Sequence, residues 1–243
     1  MTDPRSLIPL WLTTDLSADL SIGAGLPDGK VDFTDTDRMV NLDLAGGALL
    51  DLGIYSLTWL FQTLYHTQPE PEKEAPTVLA AIDKYHTGAD ESTSIILHFP
   101  KHRSTGIALT SLSVSTDPSG KNLSGPAIRI QGVTGEIQVM GPAYRPQQYK
   151  VIKKNTGGKV EVVDCPIPKD TALNWGHGMF WEADECARCV RDGKLESATL
   201  PWSESIVIME VMESALKQGD VTYPDLIVTD VFDAQSPLNT GKR

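Results

Sequence analysis

The sequence predicts an α+β fold: an open, mainly antiparallel β-sheet of six or more strands with helices on one face. Three observations lead there. Residues 77–165 have a hydrophobic period of two and are cut at short intervals by turn chemistry. One apolar helical stretch precedes this region and two follow it. Strands and helices do not alternate, so no Rossmann βαβ unit is expected. The 243 residues read as one domain: an opening strand and loop (13–36), a buried helix (46–66), the sheet (77–165), two closing helices (178–218) and a tail (219–243).

Residues 12–22 alternate loosely and include Thr and Ser, as a strand does. Gly23, Gly25, Pro27 and Gly29 then break the pattern. Gly23-Ala24-Gly25 looks like the start of a phosphate-binding glycine turn. Position 28 is Asp and no helical pattern follows, so it reads as a loop. Residues 46–66 are apolar almost all round, which predicts a helix buried on most of its surface. Asp51 and Gly53 interrupt it too much for a membrane span. Pro69, Pro71 and Pro76, mixed with Glu70, Glu72, Lys73 and Glu74, make a solvated connector.

Strands are expected at 77–86, 92–99, 104–115, 127–132, 135–140, 148–154 and 159–164, separated by turns at 87–90, 117–120 and 155–158. Strands 92–99 and 104–115 carry apolar residues on both faces. A sheet with one wet face alternates more cleanly, so helices are expected on one face and a second subunit on part of the other. Helix 178–192 is stopped by Gly193. Helix 202–218 follows Pro201, has Ser203 as a cap, and ends at Gly219. The tail, with Pro224 and Pro237, reads as a surface strap.

The formal net charge of −11 disfavours nucleic acid and anionic membranes, which need a basic footprint. Three cysteines, Cys165, Cys186 and Cys189, give no disulfide framework and fit a reducing compartment. The apolar run at 7–12 is short and contains Pro9, so it is not a secretory signal. A soluble cytoplasmic protein is expected.

Asp51 and Tyr55 are four apart and so share one helix face. Two roles are open: a tyrosine capping the core with an aspartate tying down a loop, or a phenol oriented by its neighbour for proton transfer. His177, between Gly176 and Gly178, is either a positioned acid–base group or a loop histidine near a helix cap. Arg38 either clamps a substrate oxygen or stitches its loop. Phe180 and Trp181 are candidate substrate-binding residues with it. Arg129 and Arg145 are assigned to the sheet surface or an interface. No metal site is expected: the histidines show no ligand spacing, and Pro100 keeps His98 and His102 off a shared helical face. No GxSxG elbow supports a hydrolase.

The stretch DRMVNLDLAGGALLDLGIYSLTWLFQTLYH (37–66) resembles the helix that opens the C-terminal domain of the glucose–fructose oxidoreductase / inositol dehydrogenase (Gfo/Idh/MocA) family, and within it the NADP-dependent dihydrodiol and D-xylose dehydrogenase branch. Residues 176–219 resemble that branch's closing helices, and PAIRIQGVTGEIQV (126–139) its sheet. The resemblance implies proton transfer by Tyr55, support from Asp51, a small-molecule substrate (a sugar, a diol or an apolar metabolite), and a homodimer joined through the sheet. It also implies NADP in the full-length relatives. Family members begin with a Rossmann domain and carry an EKP motif whose lysine works beside the substrate. This sequence has neither, so no cofactor is expected for this chain alone. Three readings follow: a dehydrogenase part that works only with a nucleotide-binding domain, a cofactor-independent cyclase, lyase or isomerase, or a silent dimerisation module.

Overall fold

The computed structural model describes residues 13–172 and 176–235. The apolar run at 7–12 and the last eight residues of the tail lie outside the described residues.

Eight strands form one sheet: β1 (Thr13–Ser21), β2 (Thr77–Lys84), β3 (Asp90–Phe99), β4 (Ser104–Ser111), β5 (Ile128–Gly132), β6 (Gly135–Val139), β7 (Gln148–Lys153) and β8 (Val160–Asp164). Their order is β2-β3-β4-β1-β5-β6-β7-β8. The sheet is mixed. β1 runs parallel to β4, and every other neighbouring pair is antiparallel. The short turns explain the antiparallel pairs, because a hairpin can join only antiparallel strands. β1 reaches its parallel partner through the helix, β2 and β3.

The strand expected at 104–115 stops at Ser111. Its hydroxyl there accepts from the N–H of Ser113, and the following backbone turns to meet the Gly23–Gly25 loop. Gly23 N–H donates to Val114 O and Gly25 N–H to Ser113 O. Ala24 N–H donates to Leu112 O, so that loop is part of the sheet's end and all three of its N–H groups are already bonded.

Along β3 and β4, Ile95, Leu97, Phe99, Gly106 and Ala108 are buried, while Ile96, His98, Ile107 and Leu109 are exposed. The alternation is cleaner than the sequence suggested, because nothing in the described structure covers the second face. On that open face Leu79, Ile96, Ile107, Ser17, Arg129, Gln138, Lys150 and Val162 form one row across all eight strands. Its β2–β4 part is apolar and most of the rest is polar.

The expected helix 46–66 is one continuous helical run of three windings: π from Leu49–Gly53, α1 from Ile54–Leu60, and π again from Phe61–Tyr65. It packs on β1 and β4. A Cβ at Gly106 would lie 2.5 Å from Leu60 Cδ2, so only glycine lets the helix come this close. Residues Leu42–Tyr65 are long and apolar enough to cross a membrane by length and composition alone. More than half of that window is nevertheless buried against the sheet.

The closing helices are α2 (Phe180–Arg191) and α3 (Trp202–Gln218). α3 packs on β2, and Gln218 bonds both Ala80 N–H (2.9 Å) and Val78 O (3.1 Å), capping part of that sheet edge. Buried Glu204 ties the start of α3 to Gln62 (3.0 Å) and His66 (2.8 Å) on the long helix. α2 departs from the expectation: among its residues only Cys189 is buried, so it stands off the sheet. The helices therefore cover only half of one face, and β7 and β8 extend beyond them at most half-buried. In the described part of the tail, the Tyr223 hydroxyl donates to Gly46 O at the helix start (3.1 Å).

Candidate active site

The site is built on the flank of the long helix that faces away from the sheet. Its start is fixed from β3. Asp90, with no exposed surface, accepts the Leu49 N–H (2.7 Å) and the Thr93 hydroxyl (2.9 Å) on Oδ2. Its Oδ1 is enclosed and has no hydrogen-bond partner among the described residues. Gly47, at φ +138°, makes room for it; a Cβ there would collide with Oδ1. Burial pushes the Asp90 carboxyl up to about 6, against the opposite pull of the Leu49 N–H and Thr93. The wide first turn follows, with Ile54 N–H donating to Leu49 O. Such turns are frequent at functional sites.

Asp51 and Tyr55 then point to solvent. Both were expected in a helix buried on most of its surface. In fact Tyr55 is 42% exposed and Asp51 is half-buried, because the sheet covers only the flank of Leu49, Leu52, Ser56, Leu57 and Leu60. The polar pair therefore bears little desolvation cost and sits where a ligand can reach it.

Arg38 Nη1 donates to Asp51 Oδ1 at 2.6 Å. The hydrogen bond and the carboxylate charge raise the Arg38 guanidinium above its ordinary value. Arg38 is largely exposed, so the pair contributes only about 0–1 kcal/mol to stability. Its consequence is to orient Asp51.

Tyr55 meets Tyr144 edge to face, with ring centroids 6.0 Å apart. Tyr144 lies in the β6–β7 loop, which Trp59 ties to the helix by donating to Ala143 O (2.9 Å). The next residue, Arg145, places its guanidinium over the Tyr144 ring at 5.7 Å, and its Nη1 is 3.5 Å from His177 Nδ1. Among the described residues, His177 is linked to Tyr55 through Arg145 and Tyr144. The Phe180 and Trp181 rings meet at a tilt of 50° with centroids 4.9 Å apart, both substantially exposed at the start of α2.

Arg145, assigned to the sheet surface or an interface, lies in the β6–β7 loop against Tyr144 and His177. Arg129 does lie on the sheet's open face, paired with Glu136 at 2.6 Å. Tyr144 and Arg145 are the residues that sequence reasoning missed. An aromatic and an arginine between Pro142 and Pro146, in a loop joining two strands, were the available signal. Among the described residues, no group of three or more His, Cys, Asp or Glu side chains is placed to hold a metal.

An open mixed eight-stranded sheet with a long helix on one face is an α+β fold shared with solved oxidoreductases. UDP-N-acetylglucosamine 3-dehydrogenase from Acidithiobacillus ferrooxidans shares the fold at a TM-score of 0.55 and 13% identity, over 86% of this chain and 54% of that one. An oxidoreductase from Bacillus cereus shares it at 0.53 and 14% identity, over 90% of this chain and 60% of that one. In sequence, the chain is 65% identical to the D-xylose 1-dehydrogenase (NADP(+)) of Hypocrea jecorina, over 93% of this chain and 57% of that protein. It is 31% identical to human trans-1,2-dihydrobenzene-1,2-diol dehydrogenase, over 77% of this chain and 50% of that protein. The chain therefore spans about half the length of the curated relatives it matches, and its relatives are dehydrogenases. No family model matches it.

Proposed function

We propose that the chain is the substrate-binding and subunit-pairing part of an NADP-dependent dehydrogenase of the Gfo/Idh/MocA family, acting on a sugar such as D-xylose. The observation that carries this reading is Tyr55. It stands exposed on a helix whose other flank is buried, with Arg38–Asp51 on one side and Tyr144–Arg145–His177 on the other. In this role the Tyr55 hydroxyl exchanges a proton with the substrate oxygen being oxidised. Arg38 holds Asp51 beside it, and Tyr144 braces the ring. Phe180 and Trp181 wall the cleft further out.

NADP supplies the hydride acceptor in such an enzyme. The Gly23–Gly25 turn does not fit its pyrophosphate, since the N–H groups of Gly23 and Gly25 are bonded to Val114 and Ser113 and no helix follows. The nucleotide is held by a domain beyond the described residues in this reading. The open sheet face, apolar over β2–β4, is the surface offered to a second copy.

The test joins the chain to the part of the Hypocrea jecorina relative that it does not cover. NADP-dependent oxidation of D-xylose is expected from the joined protein. Tyr55→Phe should lower turnover about 10²–10⁴-fold, as for a lost acid–base group. It leaves the ring packed, so the melting temperature should hold. Normal turnover by that variant would refute the assignment.

A further inference from the structure

We propose that α2 is a docking helix: its outward row of Phe180, Ala183, Ala187 and Val190 seats the part of the dehydrogenase that this chain does not span, and so brings that part to the mouth of the Tyr55 cleft. The proposal rests on the reading of the chain as one part of a two-part dehydrogenase.

A helix of twelve residues is marginal in water by itself and is ordinarily ordered by burying one flank. α2 buries almost nothing. Of its residues only Cys189 is buried; its thiol donates to Glu196 O (3.6 Å), and Glu185 beside it accepts the Ser197 hydroxyl (2.7 Å). The opposite flank has the spacing of a packed one. Phe180, Ala183, Ala187 and Val190 stand three, four and three residues apart, which sets them in one row, and all four are exposed. The charges beside the row are paired within this segment, Arg188 with Glu185 (3.2 Å) and Arg191 with Asp192 (2.7 Å). An uncharged row whose neighbouring charges are already paired has the make-up of the centre of a protein interface.

Two observations select the occupant. The Hypocrea jecorina relative, 65% identical to this chain, is spanned over only 57% of its length, so a dehydrogenase this similar has a large further part to place. In addition, α2 begins at the site: Phe180 follows closely on His177, which is linked to Tyr55 through Arg145 and Tyr144. A partner seated on the start of the row stands beside Tyr55, where a hydride acceptor has to arrive. A second copy has its own surface elsewhere. The apolar open face is on the other side of the sheet, whereas the loop that follows α2 is held to the long helix, with Gln62 Nε2 donating to Thr199 O (2.9 Å).

Hydrogen exchange of the α2 amides, read by mass spectrometry, tests this. In the chain alone α2 should exchange fast while α3 is protected. In the chain joined to the part of the Hypocrea jecorina relative that it does not cover, α2 should exchange about 10-fold or more slowly. Ala187→Glu sets a charge in the middle of the row and keeps a good helix former there. It should leave the melting temperature of the chain alone unchanged and return α2 to fast exchange in the joined protein. Val190→Asp, on the same row, should do the same, and Glu182→Gln, off the row, should change neither reading. If the joined protein does not fold, the intact relative carries the comparison at its corresponding helix. Equal exchange of α2 in the chain alone and in the longer protein overturns the proposal. So does α2 protection in the chain alone that rises with protein concentration, which gives the row to a second copy. A joined protein that protects α2 yet does not oxidise D-xylose supports the docking and overturns the catalytic reading, so the two failures are told apart.

Discussion

A carboxyl group held inside a protein near pH 6 leaves a trace in the stability curve, and Asp90 is such a group. Its folded value, about 6, lies above the reference value of 3.8. The folded chain therefore holds this proton more tightly than the unfolded chain between those two limits. The stability it contributes is fully present below pH 3.8 and is lost as pH rises through about 6. Between pH 5 and pH 7.5 the loss is about 1 kcal/mol. Asp90→Asn has no proton to lose, so urea unfolding at the two pH values should differ less for that variant than for the native chain. Parallel pH dependence in both would mean that Asp90 titrates as in the unfolded state. Nothing in the sequence flags Asp90, because its burial comes from the distant pairing with Leu49. The Asp51–Tyr55 pair was legible from spacing, since both side chains belong to one helix. Arg145 was not, because its neighbours Tyr144 and His177 come together only through the loop's path.

At the scale of elements, periodicity located the long helix and α3 well, since each has a continuous apolar flank on the sheet. It could not give the π windings at both ends of the long helix, which hydrogen-bond geometry defines. The 104–115 strand was overextended because Leu112–Val114 keep an alternating pattern after the chain leaves the ladder. Placing α2 failed for another reason: its pattern looks amphipathic, yet Phe180, Trp181 and Val190 remain exposed. The tightest contact between elements is at Gly106. A methyl group there meets Leu60 at both Cδ2 (2.5 Å) and Cγ (2.8 Å), and Leu60 is itself fully buried. Gly106→Ala should therefore destabilise the chain by about 1–3 kcal/mol through overpacking. Its thermal midpoint should fall by several degrees. An unchanged midpoint would mean that the helix can lift off β4 freely.

At the scale of the whole molecule, the open face is the largest consequence of the strand order. Leu79, Ile96, Ile107 and Leu109 are all exposed on neighbouring strands, a contiguous apolar patch. Exposed patches of this kind mark interaction surfaces. The proposed pairing through this face predicts a dimer of the native chain by light scattering. Ile107→Asp should give a monomer with little change in melting temperature, because the side chain is already 40% exposed. A native monomer would remove the proposal. The sequence conveyed the apolar character of this face but not its extent, since the row across eight strands exists only once the register is set.

The position of β1 has a consequence in time as well as in space. It comes before every other described strand in the chain, yet it lies between β4 and β5, and Thr110 bonds Leu20 across a separation of 90 residues. During synthesis β1 waits, unpaired, until β4 has emerged. The hairpins β2–β3 and β3–β4 can close early, through local turns. The β5–β8 meander can also form its own ladders, but it cannot join the rest of the sheet until β1 is inserted between the two halves. Such a long-range closure is entropically costly and slow. The docking of one strand thus governs the kinetics of folding, and until it occurs the unpaired edges of β4 and β5 are the surfaces most open to aggregation.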